Sequence, residues 1–251
     1  DPAFMLALLH VLLCEAGVER LDVDFLRDRT ASPYLVGPDA YYLRDPESRK
    51  PLIWDELTQQ PLPFDTPGAR PALVGRFTVP RAVTQRADGE VGEFSDASAQ
   101  TSLSVTVDAM RQYSPEWAGV ICDVSPDTIR RVALEYLENA CIGETVEVDG
   151  KILPYRPVAV TLGKTVNNGW GAFECCWART VLAAVVGALE VPGGTLGTTV
   201  RLNKPHDNRL LSVTPGEDGF MSCNFNPTQQ GKWSAKPTGR NAHRTLIPHV
   251  G

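Results

Sequence analysis

The hydrophobic pattern has its centre of gravity between Pro157 and Gly197. Pro157–Leu162 is a short valine-rich apolar run, which predicts a strand covered on both faces. Residues 163–171, GKTVNNGWG, form a polar, glycine-containing loop. From about Ala172 to Val191 the only charges are Glu174, Arg179 and Glu190, which predicts a long, largely buried helix ending at Pro192-Gly193-Gly194. In open α/β sheets ligands bind where such a strand gives way to a loop and helix, so residues 163–171 are the first place to look for a site.

Upstream, Asp1-Pro2 and the apolar run to Cys14 predict a buried helix with an aspartate N-cap, proline in its first turn and Gly17 as its stop. His10 falls within that apolar surface and reads as a packed core histidine, because a metal ligand would need partners at helical spacing and has none. Asp22 or Asp24 caps a short second helix containing Phe25 and Leu26. Residues 33–100 change character: PYLVG, AYYLRD, PLIWDE, PALVGRFTV and EVGEF are brief β-prone pieces, predicting an antiparallel meander or extended surface arm. Its aromatic residues Tyr34, Tyr41, Tyr42 and Trp54 are interspersed with acidic residues and read as packing rather than as a base-stacking surface. Ser98–Tyr113 is predicted helical, with Leu103, Val107 and Met110 on one face. Ser114-Pro115 and Ser125-Pro126 each join an N-cap serine to a first-turn proline. In the second of these helices Ile129, Val132, Ala133, Tyr136 and Leu137 face inward, while Arg130, Arg131, Glu135 and Glu138 face water. Asp149-Gly150 predicts a type I′ hairpin turn leading into the 157–162 strand. Beyond Gly197 the chain is polar and loop-rich.

Composition narrows the function classes. The chain has 251 residues and a formal net charge of −6, with no basic tract, which argues against nucleic-acid binding. Its cysteines, Cys14, Cys122, Cys141, Cys175, Cys176 and Cys223, include no C-x-x-C pair, and reduced thiols are the expectation. No apolar run is long enough to span a bilayer. The opening at Asp1 without a methionine suggests a piece of a longer chain, so the compartment stays open.

There is no G-x-G-x-x-G, Walker loop, H-E-x-x-H or G-x-S-x-G motif. Lys164 can offer a cation to a phosphate or oxyanion, and Asn167 and Asn168 can offer amide donors and acceptors, but each is equally ordinary in an exposed turn. Cys175 or Cys176 as a nucleophile would need a base, and none lies close in sequence, so both read as buried thiols. Gly193-Gly194 read as a structural turn. On these grounds alone the chain is an α/β domain with a candidate loop site.

Two stretches, YSPEWAGVICDVSPDTIRRVALEYL and PVAVTLG…WARTVLAAVVGALEVPGG, together resemble the middle of the large subunit of molybdopterin oxidoreductases of the dimethyl-sulfoxide-reductase type. Thr128-Ile129-Arg130-Arg131, Arg179, Leu182, Gly187 and Pro192-Gly193-Gly194 occupy matching places, and Asp1-Pro2-Ala3 resembles the end of that family's P-G-T-D segment. The resemblance implies an α/β fold with a Rossmann-like strand–loop–helix core and a β-rich, irregular surface arm, forming a partial domain set of a larger multidomain enzyme. Residues 1–32 would be the helical end of one cofactor-binding domain, 33–100 the arm, 101–200 the core of an α/β domain and 201–251 a tail continuing into further sequence. It implies a molybdenum bis(molybdopterin guanine dinucleotide) cofactor, with Asp1 near a guanine and Lys164, Thr165, Asn167, Asn168 and Trp170 approaching the pterins and substrate funnel. A small-molecule substrate, a 4Fe-4S cluster bound upstream of this chain and an iron–sulfur partner subunit follow from the same resemblance. No metal ligand is matched here, and the competing readings are a non-catalytic binding or scaffold module using loop 163–171 and a thiol enzyme.

Overall fold

A computed structural model describes residues 2–86, 89–161, 171–195, 213–215 and 221–223. Its helices and antiparallel sheets make a mixed α/β chain, with two separate hydrophobic clusters.

The helical cluster is built around helix α1 (Pro2–His10), which is apolar on nearly every side and accordingly sits in the middle. It packs against α3 (Ser102–Met110), α4 (Pro115–Cys122), α5 (Pro126–Glu138) and α6 (Ala172–Val185). Past His10 the chain widens into a π-turn, Val11–Ala16, which buries Val11, Leu12 and Leu13 before Gly17 ends it at φ 93°. A 3-10 turn (Val18–Arg20) and α2 (Val23–Arg29) follow, and the backbone N–H of Phe25 donates to Asp22 Oδ1 at 3.0 Å, so Asp22 is the cap. His10 is half-buried at the edge of the core: its Nδ1 donates to the Met110 carbonyl at 2.8 Å, and its Nε2 lies 3.7 Å from Glu15.

Both serine–proline starts form as predicted. Ser114 and Ser125 accept from the amides of Trp117 and Thr128, each at 3.2 Å. Ile129, Ala133 and Leu137 of α5 are buried, and Arg131 bridges to Glu135 at 2.9 Å on the wet side.

The arm is antiparallel. Strands β1 (Leu35–Val36), β4 (Arg76–Gln85) and β5 (Val91–Thr101) form a sheet in the order β1-β5-β4, and β2 (Leu52–Asp55) pairs with β3 (Gln60–Pro63). Leu35, Leu43, Leu52, Val79, Ala82, Ala97 and Ala99 make the second core. The aromatic residues pack as expected, with Trp54 stacked on Phe77 at 4.6 Å and Tyr34 edge-on to Tyr42 at 5.6 Å. Strands β6 (Thr145–Val148) and β7 (Lys151–Pro154) form the predicted hairpin, with Asp149 at φ 50° and Gly150 at φ 73°. A last antiparallel pair joins β8 (Val213–Pro215) to β9 (Met221–Cys223).

Three expectations are corrected. The helix expected over Ser98–Tyr113 starts only at Ser102, because Ser98–Gln100 pair with Thr78–Arg76 and the Thr101 hydroxyl caps the helix by accepting from Ser104. The helix expected to reach Val191 stops at Val185, since Gly187 takes φ 67° and turns the chain. Residues 157–161 are not a strand: no neighbouring strand pairs with them among the described residues, the Val158 amide instead donates to the Arg156 carbonyl at 2.8 Å, and burial alternates from the exposed Pro157 to the buried Val158 and the exposed Ala159. A valine-rich run fits a ladder only where a second strand is present to complete it.

Asp55 is the arm's most heavily bonded carboxylate, being 1% exposed. Oδ2 accepts from the Thr58 hydroxyl at 2.7 Å and the Thr58 amide at 2.9 Å, while Oδ1 accepts from the Arg70 amide at 2.7 Å. These donors, the Thr58 hydroxyl foremost, lower its pKa to about 2. Because the folded value lies below the unfolded value of about 3.9, this contribution is complete above pH ~4 and is lost as pH falls toward 2. Urea titrations at descending pH should show stability falling through that window, and Asp55→Asn should flatten the fall.

Candidate functional site

The residues implicated by the sequence, Asp1, Lys164, Thr165, Asn167, Asn168 and Trp170, lie outside the described residues. Their described neighbours are informative. Pro2 follows Asp1 in the chain, and Gly171 follows Trp170. Gly171 opens α6 at φ 74°, so close to Pro2 that a Cβ there would meet the Pro2 Cγ at 2.6 Å. Both implicated segments therefore join the body at one place, where the starts of α1 and α6 meet. Gly171, the N-cap of α6, brings no side chain to cap the helix, and the exposed Glu174 is the one acid of its first turn.

Helix α6 is anchored by one face. Cys175, Ala178, Leu182, Ala183 and Val185 are buried, whereas Phe173 and Trp177 are largely exposed. The Tyr136 hydroxyl donates to the Leu182 carbonyl at 3.1 Å, and burial pushes the Tyr136 phenol pKa up. From the third turn Arg179 reaches back, and its Nε donates to the Val160 carbonyl at 2.8 Å. Cys175 packs as a small apolar side chain. His10, the one histidine among the described residues, is engaged with Met110 and Glu15, so the described residues supply neither thiol with a histidine base.

At the other end of α6 lies a buried ion pair that sequence reasoning missed. Arg156 is 5% exposed and Asp22 8% exposed. Arg156 donates to Asp22 Oδ2 from Nη2 at 2.7 Å and from Nε at 3.1 Å. Its Nη1 donates to the carbonyls of Tyr155 at 2.7 Å and of Cys141 and Glu144 at 3.1 Å. The amide of Asp22 donates to the Val185 carbonyl at 3.0 Å, and that of Arg156 to the Pro192 carbonyl at 3.1 Å. One pair thus joins α2, the exit of β7, the turn at 141–144, the end of α6 and the Pro192 turn. The only signal in the sequence was a lone charge between a hairpin and an apolar run.

The glycines here answer to packing. A Cβ on Gly187 would lie 2.3 Å from Asp22 Oδ2, one on Gly193 2.8 Å from the Pro157 Cα, and one on Gly194 2.5 Å from the Ala188 carbonyl oxygen. A cleft of about 320 Å³ opens over the ion pair, lined by Asp22, Phe25, Ile142, Arg156 and Val191 among others. Its lining includes neither Pro2 nor Gly171, so it is distinct from the junction of α1 and α6. A second unforeseen network lies on the surface. Arg130 grips Glu15 at 2.8 Å and Glu116 at 2.7 Å, and its hydrogen bond is the main reason the Glu116 pKa falls to about 2.

No protein-family model matches the chain. Over 169 residues, 63% of its length, it is 28% identical to one of the subunits of the sulfite dehydrogenase of Allochromatium vinosum. The chain spans about 15% of the length of that relative. Among the described residues no helix is long and apolar enough to cross a membrane.

Two outcomes test this geometry. Asp22→Ala, which leaves the Arg156 charge buried without its carboxylate, should lower the free energy of unfolding by about 3–5 kcal/mol, read from urea denaturation. Gly171→Val, forcing a branched side chain to positive φ against Pro2, should destabilise by roughly 1–3 kcal/mol in the same assay, whereas Gly150→Asn at the open hairpin turn should change it little.

Proposed function

We propose that this chain is a section of the large subunit of a molybdopterin-dependent oxidoreductase, which moves an oxygen atom or an electron pair at a molybdenum or tungsten centre held by two molybdopterin guanine dinucleotides. The observation that carries the reading is the meeting of Pro2 with Gly171, which roots the two segments assigned to the cofactor, Asp1 and residues 164–170, at one point. The similarity to part of a sulfite dehydrogenase, together with the ordered motif pieces of the sequence, supports it from an independent direction.

At that point α6 starts at a glycine, which brings no side chain of its own to the helix N-terminus, and the amides of a helix start can face the phosphates of such a cofactor. Asp1 would accept paired donors from a guanine edge, and Lys164, Thr165, Asn167, Asn168 and Trp170 would line the approach to the pterins. When bound, the cofactor supplies the redox chemistry, and these residues hold and enclose it. The reading places the metal's own protein ligand upstream of this chain, as the family resemblance implies. A 4Fe-4S cluster upstream and an iron–sulfur partner subunit belong to the same proposal, as does the division into domains at residues 32, 100 and 200. So does a Rossmann-like completion of residues 157–161 by strands from elsewhere in the parent protein.

The full-length protein should purify with molybdenum or tungsten and with a pterin that becomes fluorescent on oxidation, and sulfite, named by the relative, is the first substrate to assay. Full activity in protein free of both metal and pterin would overturn the reading.

A further inference from the structure

We propose that the outward face of α4 is a packing seam, covered in the parent protein by an apolar helix face from another part of the same polypeptide. The proposal rests on the reading of this chain as a section of a longer protein, and not on the cofactor assigned to that protein.

Helix α4 has two apolar sides. Pro115 and Ala118 are buried where the helix packs on α1 and α5. On the far side Trp117, Val120 and Ile121 are 37%, 90% and 54% exposed. These three stand at i, i+3 and i+4, the spacing at which one helix face meets another. Tyr113, just before the helix, extends the stripe, its ring centre 5.1 Å from that of Trp117. A single exposed apolar side chain is ordinary, but three adjacent ones on one short helix make a patch. A helix that is apolar on opposite sides belongs inside a layer of helices.

The stripe can be covered without stranding a charge. Glu116 is the one charged residue of α4, and Arg130 already holds it at 2.7 Å. A helix laid over Trp117, Val120 and Ile121 therefore buries no unpaired ion, which would cost more than the apolar contact contributes.

Size and sequence identify the occupant. Three side chains on a helix about 12 Å long fall far short of the ~800 Å² per partner that a stable dimer buries. Within one polypeptide, tethering supplies the effective concentration that so small a seam requires. Residues 196–251 are polar and interrupted by Pro205, Pro215, Pro227, Pro237 and Pro248, so their sequence predicts no long apolar helix. The chain spans about 15% of the length of the sulfite dehydrogenase subunit it resembles, and the remainder of such a polypeptide can supply one.

The test is hydroxyl-radical footprinting of the full-length protein, purified as a single polypeptide, over a roughly hundredfold range of concentration. Val120 and Ile121 should be oxidised roughly tenfold more slowly than in the urea-unfolded protein at every concentration. Oxidation near the unfolded rate means an open face and overturns the proposal. So does protection that fades on dilution, which marks a second copy, or protection that appears only when a separate subunit is added. Val120→Ala gives an independent answer through its sign. At an open helix site alanine is the better helix former and raises the melting temperature slightly, whereas under a packed helix the lost methyl groups should lower it by about 2–4 °C. A melting temperature that stays level or rises overturns the proposal as well. A parent protein carrying neither metal nor pterin sinks the functional reading alone and leaves both measurements to decide this one.

Discussion

The Asp22–Arg156 pair is the constraint on which the rest of the helical half depends. Moving both charges out of water costs several kcal/mol per ion, and a single contact would not recover that. The arrangement does so by saturation. Arg156 meets a carboxylate oxygen and three carbonyls, while the second Asp22 oxygen caps α2. Since the partners come from five separate stretches, the pair fixes their mutual geometry more than it adds to net stability. It also explains why Gly187 must lack a side chain.

At the opposite end of α6, two helices begin side by side. The apolar character of α1 places it centrally, and the one-sided burial of α6 lays it against α1 so that their first residues meet. Phe173 and Trp177 remain outside, as do Trp117, Val120 and Ile121 of α4, with Val120 90% exposed. Apolar surface of this kind fits a chain that spans only a small part of its relative's length.

Local signals were legible in the sequence and long-range ones were not. Serine caps, the Asp149-Gly150 turn and the amphipathic face of α5 each depend on residues within a few positions of one another, and all form as read. The strand expected at Pro157–Leu162 does not form over its described part, residues 157–161, because a valine-rich run looks the same whether or not a neighbour pairs with it. Arg156 was missed because its partner lies 134 residues away in sequence. The π-turn leaves the hydrophobic pattern of α1 almost unbroken and so leaves no mark of its own. The segments assigned to the candidate site rest on the family resemblance, and the structure contributes the place where their described neighbours Pro2 and Gly171 converge.

The base of the arm has a consequence for assembly. Apart from Leu73, the helical cluster draws on residues up to Leu26 and from Leu103 onward, so the arm interrupts it. Yet Leu35 sits opposite Thr101, and the amides of Ser102 and Leu103 donate to the carbonyls of Tyr34 and Ser32 at 2.7 and 3.0 Å. Once β1 and β5 have zipped together, the helical halves are joined by what is in effect a short link. The entropy of closing a long loop, which grows as (3/2)RT ln n, is then met by the hairpin rather than by the helices. Folding the arm first therefore raises the effective concentration of α1 for α4 and α6. Changes in the length of the arm's outer turns should be tolerated wherever the β1–β5 pairing at its root is kept.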